Sequence, residues 1–432
     1  MKIIRDLTHG YISINEKDLL FIDTPIFQRL KRIRQTTAHV VYPNATHTRF
    51  EHSIGVMHLG FEIFERINSN FSPRDEINLE NTVKYACLLH DIGHAPFSHA
   101  TEEFFDEDEC KQKLKEYKFS FDVDNLGSAT HELMSCIVAL ENFENEFIEL
   151  KIDKELFCRM ILGVDYERDL AEGVFNPLIS LLNSYIDVDK LDYILRDNIM
   201  TGFYGINLDT DRIVQSYVIH NKKLVLSSKS LSVIYNLIYG RDAMFRWVYN
   251  HHVVTYYATL IQRYIEHLIE LDNSIKDRFF SFKAINEDHV DDNDIIMLFK
   301  SNNNRDKHSM RLFDQIINRQ YLKPLWKTPF EFKKVLTPVQ QDNILAQAKF
   351  ELEKKLISQL SINEDDLYVV IAKYKPFNPG DSSQIYILID DETQRFTDLF
   401  ETETQNNPMN VLPYIYVNRD IKDRVLEHIK NM

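Results

Sequence analysis

Between Pro25 and about residue 270 apolar residues recur at helical spacing with few interruptions, and this limits the fold of the 432-residue chain more than any other feature. In "RFEHSIGVMHLGFEIFERI" the stripe runs through Phe50, Ile54, Met57, Phe61 and Phe64. "NTVKYACLLHDIGH" reads as a helix that ends near Gly93 and Pro96. "NPLISLLNSYIDVDKLDYILRD" reads as a helix with Asn176 as N-cap before Pro177. "LSVIYNLIYGRDAMFRWVYNHHVVTYYATLIQRYIEHLI" extends the pattern in a long aromatic-rich stretch. With only 11 Gly and 12 Pro, the chain lacks the breakers that sandwiches, repeats and low-complexity linkers need. The expected fold class is mainly α.

The pattern changes at both ends. Residues 1–20, around "THGYISI", read as a small hairpin or turn. "NEDHVDDNDIIMLFKSNNNRDKHS" is polar and acidic and reads as a connection or short helices. Beyond it "PFEFKK", "DLYVVIAKYKP", "QIYILID" and "YIYVN" read as strands, with helices at about 337–360 and 419–431. The length exceeds what one core usually supports. A helical domain at 1–270 and a smaller C-terminal α/β region at 271–432 are therefore expected.

A net charge of −16 works against nucleic-acid binding, which depends on neutralised phosphates. The basic run "RLKRIR" (Arg29 to Arg34) fits the solvated side of a helix better than a polyanion groove. Cys87, Cys110, Cys136 and Cys158 form no CxxC pair and read as buried free thiols of a reducing compartment. Neither a signal-type apolar core at the first residues nor a run of membrane-spanning length is seen, so a cytoplasmic location and no membrane association are expected.

The densest chemistry lies in "HDIGHAPFSH", His90 to His99. Side chains at i and i+1 of a helix diverge by about 100°, so His90 and Asp91 share one ion only at a helix edge, with help from other helices. His52 sits on an otherwise apolar stripe. Asp189, in "YIDVDKLDYI", is spaced one helical turn from Tyr185 and Tyr193. A buried carboxylate requires a cation partner; the simpler alternatives are a satisfied core histidine and an Asp189–Arg196 pair. Together, His52, His90, Asp91 and Asp189 offer two imidazoles and two carboxylates, a set that suits a divalent Mn, Fe, Mg or Zn ion without choosing among them. "DVDNLG" starts like a calcium loop, but its twelfth position is Leu133.

The order "DTPIFQRLKRIRQ", "YPNATHTRFEHSIGV", "LLHDIGHAPFSHATE", "THE" and "IDVDKLDYILRD" resembles the deoxynucleoside triphosphate triphosphohydrolase branch of the HD-domain phosphohydrolases through most of 1–270. "QIINRQYLKPLWK" is similar to a later segment of those enzymes. The resemblance implies an HD-domain helical bundle that hydrolyses a nucleoside triphosphate to nucleoside and inorganic triphosphate. It makes His52, His90, Asp91 and Asp189 the metal ligands, and His94, His99 and His131, with Glu132 beside the last, the catalytic cluster. His99 becomes the general acid to the leaving 5′-oxygen, while His94 and His131 position water and phosphate. It implies phosphate contacts from Arg49, Lys190 and Arg241, sugar contacts from Gln35, Tyr193 and Asp197, and a stacking ring at Tyr249. Thr36 stands where relatives carry a leucine that crowds a ribose 2′-hydroxyl, and Phe245 replaces a histidine. Lys2, Asp23, Gln28 and Lys31 match positions that hold a guanine nucleotide effector, in relatives that assemble as tetramers. Rival readings are an HD phosphohydrolase for a ribonucleotide, an alarmone or a 5′-mononucleotide, and a nucleotide-sensing regulatory protein with a homo-oligomeric build.

Overall fold

Thr48 starts the first long helix because Glu51, three residues on, returns its carboxylate to the Thr48 amide at 2.9 Å. In the computed structural model that helix spans Arg49–Ile67 and buries Ile54, Val56, Ile63 and Phe64. The structure describes residues 1–71, 78–167, 169–203, 205–206, 208–301, 306–347, 349–373, 385–399 and 411–432. Asn78 caps the helix Leu79–Leu89 by accepting from Asn81 at 3.0 Å. The helix stops at His90, and two tight turns follow, Ile92 to Leu89 and His94 to Asp91. Lys154–Leu162 packs on Leu79–Leu89, Thr130–Asn142 packs on Lys154–Leu162, and Val188–Thr201 packs on Arg49–Ile67. Asp187 caps that last helix through the Lys190 amide at 2.8 Å, and Gly202, at φ 66°, ends it.

The chain divides into two compact units, which do not follow a cut at residue 270. The first holds Met1–Arg241, Ser274–Ile296 and the described residues of Phe377–Thr402; the second holds the remainder. A sheet explains the return of the late segment. Strands β3 (Tyr217–His220) and β4 (Lys223–Ser227) form a hairpin, and β4 pairs in parallel with β7 (Tyr386–Ile389), which pairs with β8 (Glu392–Arg395). This hairpin interrupts the stretch expected to be helical. At the N-terminus β1 (Lys2–Asp6) and β2 (Gly10–Ile14) form the expected hairpin. The second unit, by itself, carries an antiparallel sheet of order β5 (Lys323–Pro324), β9 (Val411–Val417), β6 (Leu367–Lys373). Its core includes Trp326 and a Tyr256–Tyr416 stack at 4.0 Å.

The fold is mainly α, as expected, with three local differences. "PFEFKK" lies in a helix, Pro329–Val335, because Thr328 caps the Glu331 amide and Pro329 fits the first helical turn; these signals outweigh the aromatic alternation. Pro177 lies inside the helix Asp169–Leu182 rather than at its start, and Asn176 bonds the backbone of Tyr166 instead of capping. "RLKRIR" is a solvated face only in part: Lys31 and Arg32 are exposed, but Arg29 is fully buried, all on a short 3₁₀ turn. All four cysteines are free and buried. Among the described residues no helix is long and apolar enough to cross a membrane.

Candidate active site

The four proposed ligands converge from three helices. His52 comes from Arg49–Ile67, His90 and Asp91 from the end of Leu79–Leu89, and Asp189 from the first turn of Val188–Thr201. His52 Nε2 stands 3.0 Å from Asp189 Oδ1, 3.4 Å from Asp91 Oδ2 and 3.3 Å from His90 Nε2. His90 Nε2 lies 3.5 Å from Asp91 Oδ1 and 3.7 Å from Asp189 Oδ1. Ligand atoms about 2.1 Å from one ion stand about 3.0–3.4 Å apart, so His52, His90 and Asp91 lie close enough to share one divalent cation, with Asp189 beside them at His52. The electrostatics agree. Burial opposes charge on His52, yet the Asp189 and Asp192 carboxylates raise its pKa to about 10. Without a cation, protons take up the negative charge that a metal ion would neutralise.

The outer shell fixes the ligands. His52 Nδ1 bonds Asp192 Oδ2 at 2.7 Å, which turns Nε2 inward, and His90 Nδ1 bonds the Cys87 carbonyl at 2.9 Å. Asp192 also binds His9 Nε2 at 2.6 Å and Arg196 at 2.9 Å, and Arg196 reaches Asp6 at 2.7 Å. The first hairpin thus supports the centre through its turn. Arg196 serves Asp192 and Asp6, not Asp189. Gly55 makes room for this arrangement, since a Cβ there would fall onto Asp192 Oδ1 and Arg196 Nη2. Gly55→Ala should weaken metal affinity about 10- to 100-fold through His52, read by metal titration with the helix content unchanged.

Beside the ion site lie the other three histidines. His94 stacks on His131 at 4.1 Å, and His99 meets both rings edge-on at 5.0 and 5.2 Å. His94 is buried with neither ring nitrogen hydrogen-bonded, although Nε2 is 3.3 Å from Asp91 Oδ1. Burial, with Arg49 and His131 nearby, holds its pKa well below the ordinary value, so His94 is neutral. The carboxylate of this cluster is Glu102, which the sequence reading passed over. It takes His131 Nδ1 at 2.6 Å, the His131 amide at 3.0 Å and His99 Nδ1 at 3.0 Å. Burial works against charge on both members, but their mutual contact raises the His131 pKa and lowers that of Glu102. Glu132 instead accepts from the Ala129 amide at 2.8 Å and caps its own helix. The i+3 spacing of Glu102 from His99 is the signal that marks it.

The remaining assigned residues are placed as follows. Arg49 donates to Asp91 Oδ2 at 2.6 Å and to Ser98 Oγ at 3.0 Å, so it braces a ligand. Lys190 is paired with Asp187 at 2.5 Å. Arg241 meets the Tyr185 hydroxyl at 3.2 Å and interacts with Tyr193. The Gln35 side-chain oxygen is buried without a partner, while Asp197 accepts from His47 Nε2 at 2.5 Å. The Gln35 amide bonds the His47 carbonyl, which links these two residues. Thr36 accepts from the Ala38 amide, capping a short turn. Tyr249 belongs to the second unit, where it meets Phe245 edge-on at 5.0 Å. Lys2 and Asp23 form an exposed pair at 3.2 Å, Gln28 donates to the Ile22 carbonyl, and Lys31 lies over the Phe50 ring at 4.4 Å.

Residues 49–161 match the family model described as the HD domain, and 208–411 match the HD associated region. An uncharacterized protein of Methanocaldococcus jannaschii is 32% identical over 307 residues, covering 67% of this chain and 56% of that protein. The deoxynucleoside triphosphate triphosphohydrolase SAMHD1 homolog of Dictyostelium discoideum is 31% identical over 255 residues, covering 58% and 46%. The chain spans about half the length of these curated relatives. The fold matches the crystal structure of a hypothetical protein from Aquifex aeolicus with a TM-score of 0.72 and 23% identity, over 99% of this chain and 100% of that one.

Proposed function

Since the chain belongs to the HD-domain proteins, with an HD domain followed by an HD-associated region, we propose that it hydrolyses deoxynucleoside triphosphates to deoxynucleoside and inorganic triphosphate. The observation that carries this reading is the junction of two groups: the cluster His52, His90 and Asp91 with the Asp189 carboxylate 3.0 Å from His52, and, beside it, His94 with His99, His131 and Glu102. Relatives named as deoxynucleoside triphosphate triphosphohydrolases support the substrate class.

His52, His90, Asp91 and Asp189 would hold the divalent ion, which when bound neutralises phosphate charge and lowers the pKa of water. Water attacks the α-phosphorus and gives up a proton to neutral His94 or to bulk water, the bond to the 5′-oxygen breaks, and that oxygen takes a proton from His99. Glu102 fixes His99 at Nδ1, which leaves Nε2 as the donating nitrogen. Neutral His94 offers a ring nitrogen to the attacking water or to a phosphate oxygen. His131, whose pKa the Glu102 carboxylate raises against the effect of burial, faces developing negative charge on the phosphoryl group. Arg49 holds Asp91, so any phosphate contact it makes is additional to that bond. Gln35 and Asp197 receive the sugar, and Lys190, Tyr193 and Arg241 complete the substrate contacts of the first unit. Lys2, Asp23, Gln28 and Lys31 bind a guanine nucleotide that activates turnover, in a cytoplasmic homo-oligomer, a tetramer or dimer, assembled through the C-terminal region.

Product analysis by ion-exchange chromatography tests this. Protein with Mn²⁺ or Mg²⁺ is offered each dNTP and rNTP, with and without GTP. The expected products are nucleoside and intact triphosphate from dNTPs, faster with GTP. Release of orthophosphate or pyrophosphate would sink the reaction class, and equal rates with and without GTP would remove the effector.

A further inference from the structure

The loop from His90 to His99 reverses direction at Phe97 and Ser98, which both adopt left-handed backbone at φ 61° and 53°. Neither is glycine, so the turn depends on outside support. That support comes from residues 290–292, nearly 200 positions later. The Phe97 amide donates to Asp292 Oδ1 at 2.7 Å, and Asp292 Oδ2 accepts from the Arg34 amide at 3.0 Å. Ser98 Oγ closes the ring by donating to the Arg34 carbonyl at 2.7 Å. The front of the loop is tied to the same strap. Arg29 donates to the Val290 carbonyl at 2.6 Å, to the Ile92 carbonyl at 3.2 Å and to the His94 carbonyl.

We propose that Asp292 is a positioning residue for His99: its carboxylate holds the left-handed turn and so sets the imidazole against Glu102 and the leaving oxygen. Asp292 does not cap its own helix, Asp292–Ser301. Asp291 and Asp294 do that, through the Asn293 amide and the Asp291 amide. Both Asp292 oxygens face backbone donors of other segments, and a charged acceptor is the strongest partner for two amides at once. The residue lies in the part of the chain matched by the HD-associated region, whereas the loop lies in the HD domain. The associated region therefore completes the geometry of the catalytic loop.

The inference rests on the reading of His99 as general acid, and a double-mutant cycle separates the two. Asp292→Asn keeps the size but turns one acceptor into a donor facing an amide. It should lower kcat about 30-fold with KM within about threefold and metal content unchanged. In a His99→Ala background the same change should cost less than about twofold, because Asp292 acts only through that ring. An equal loss in both backgrounds, or a loss of metal, would overturn the proposal while leaving the His99 reading intact. A His99→Ala loss under about threefold would overturn both. Amide exchange on the unmutated protein gives a test independent of variant folding. The Phe97 amide should be protected at least about 100-fold, and exchange at the rate of an unstructured amide would refute the strap.

Discussion

Asp189→Ala should leave a folded protein that holds less than about a tenth of an equivalent of metal and turns over at least about 1,000-fold more slowly, about 4 kcal/mol in the barrier. The carboxylate is one of the four proposed ligands and its side chain is 33% exposed, so its removal leaves a small space open to solvent. In chelator the variant and the unmutated chain should melt within about 2 °C of each other. Added Mn²⁺ should then raise the melting temperature of the unmutated protein alone, since only a native state that binds the ion is stabilised by it. Thermal melts with and without metal, with elemental analysis, check this. Equal metal-induced stabilisation of both chains would remove Asp189 from the ligand set.

Gly93→Ala should damage stability and activity together. Gly93 sits in the turn between Asp91 and His94, and its amide donates to Ser135 Oγ at 2.9 Å. A Cβ there would meet the backbone of Met134 and Ser135, which cannot rotate aside as a side chain can. The loop must lift from the helix Thr130–Asn142, and His94 then separates from His131 on that helix. We expect a loss of about 3 kcal/mol or more, roughly 6 °C in melting temperature, with at least 100-fold lower kcat. Calorimetry and steady-state kinetics on one preparation measure both. An alanine variant with the melting point and kcat of the unmutated chain would show that the turn has slack.

The residues of the candidate ion site are legible in the sequence because each stands out locally: a histidine on an apolar stripe, an adjacent His–Asp pair, a lone aspartate on a buried helix. The structure brings His52, His90, Asp91 and Asp189 together through the packing of helices whose stripes were already legible. Supporting residues were harder to read. Asp192 and His9 look like a solvated acid and a turn residue until the hairpin folds over Arg196. Glu102 and Glu132 are both acids beside histidines in the sequence, and only the course of the backbone tells the cluster member from the helix cap. "VDDND" reads as polar connection, yet Asp291 and Asp292 are buried, because long-range partners rather than local pattern decide their burial. The strands at 386–389 and 411–417 were visible by composition, but which unit each joins depends on pairing that no local pattern encodes.

The bond between the Phe97 amide and Asp292 joins positions 195 residues apart. A ribosome adds about 5–20 residues per second, so roughly 10–40 s separate the synthesis of the loop from that of its strap. During that interval the four proposed ligands His52, His90, Asp91 and Asp189 can already meet, since all precede residue 190. The turn that aims His99 cannot yet be held. On the proposed function, a nascent chain would therefore gather metal before it could hydrolyse nucleotide, and the arrival of Asp292 would complete the turn that aims His99.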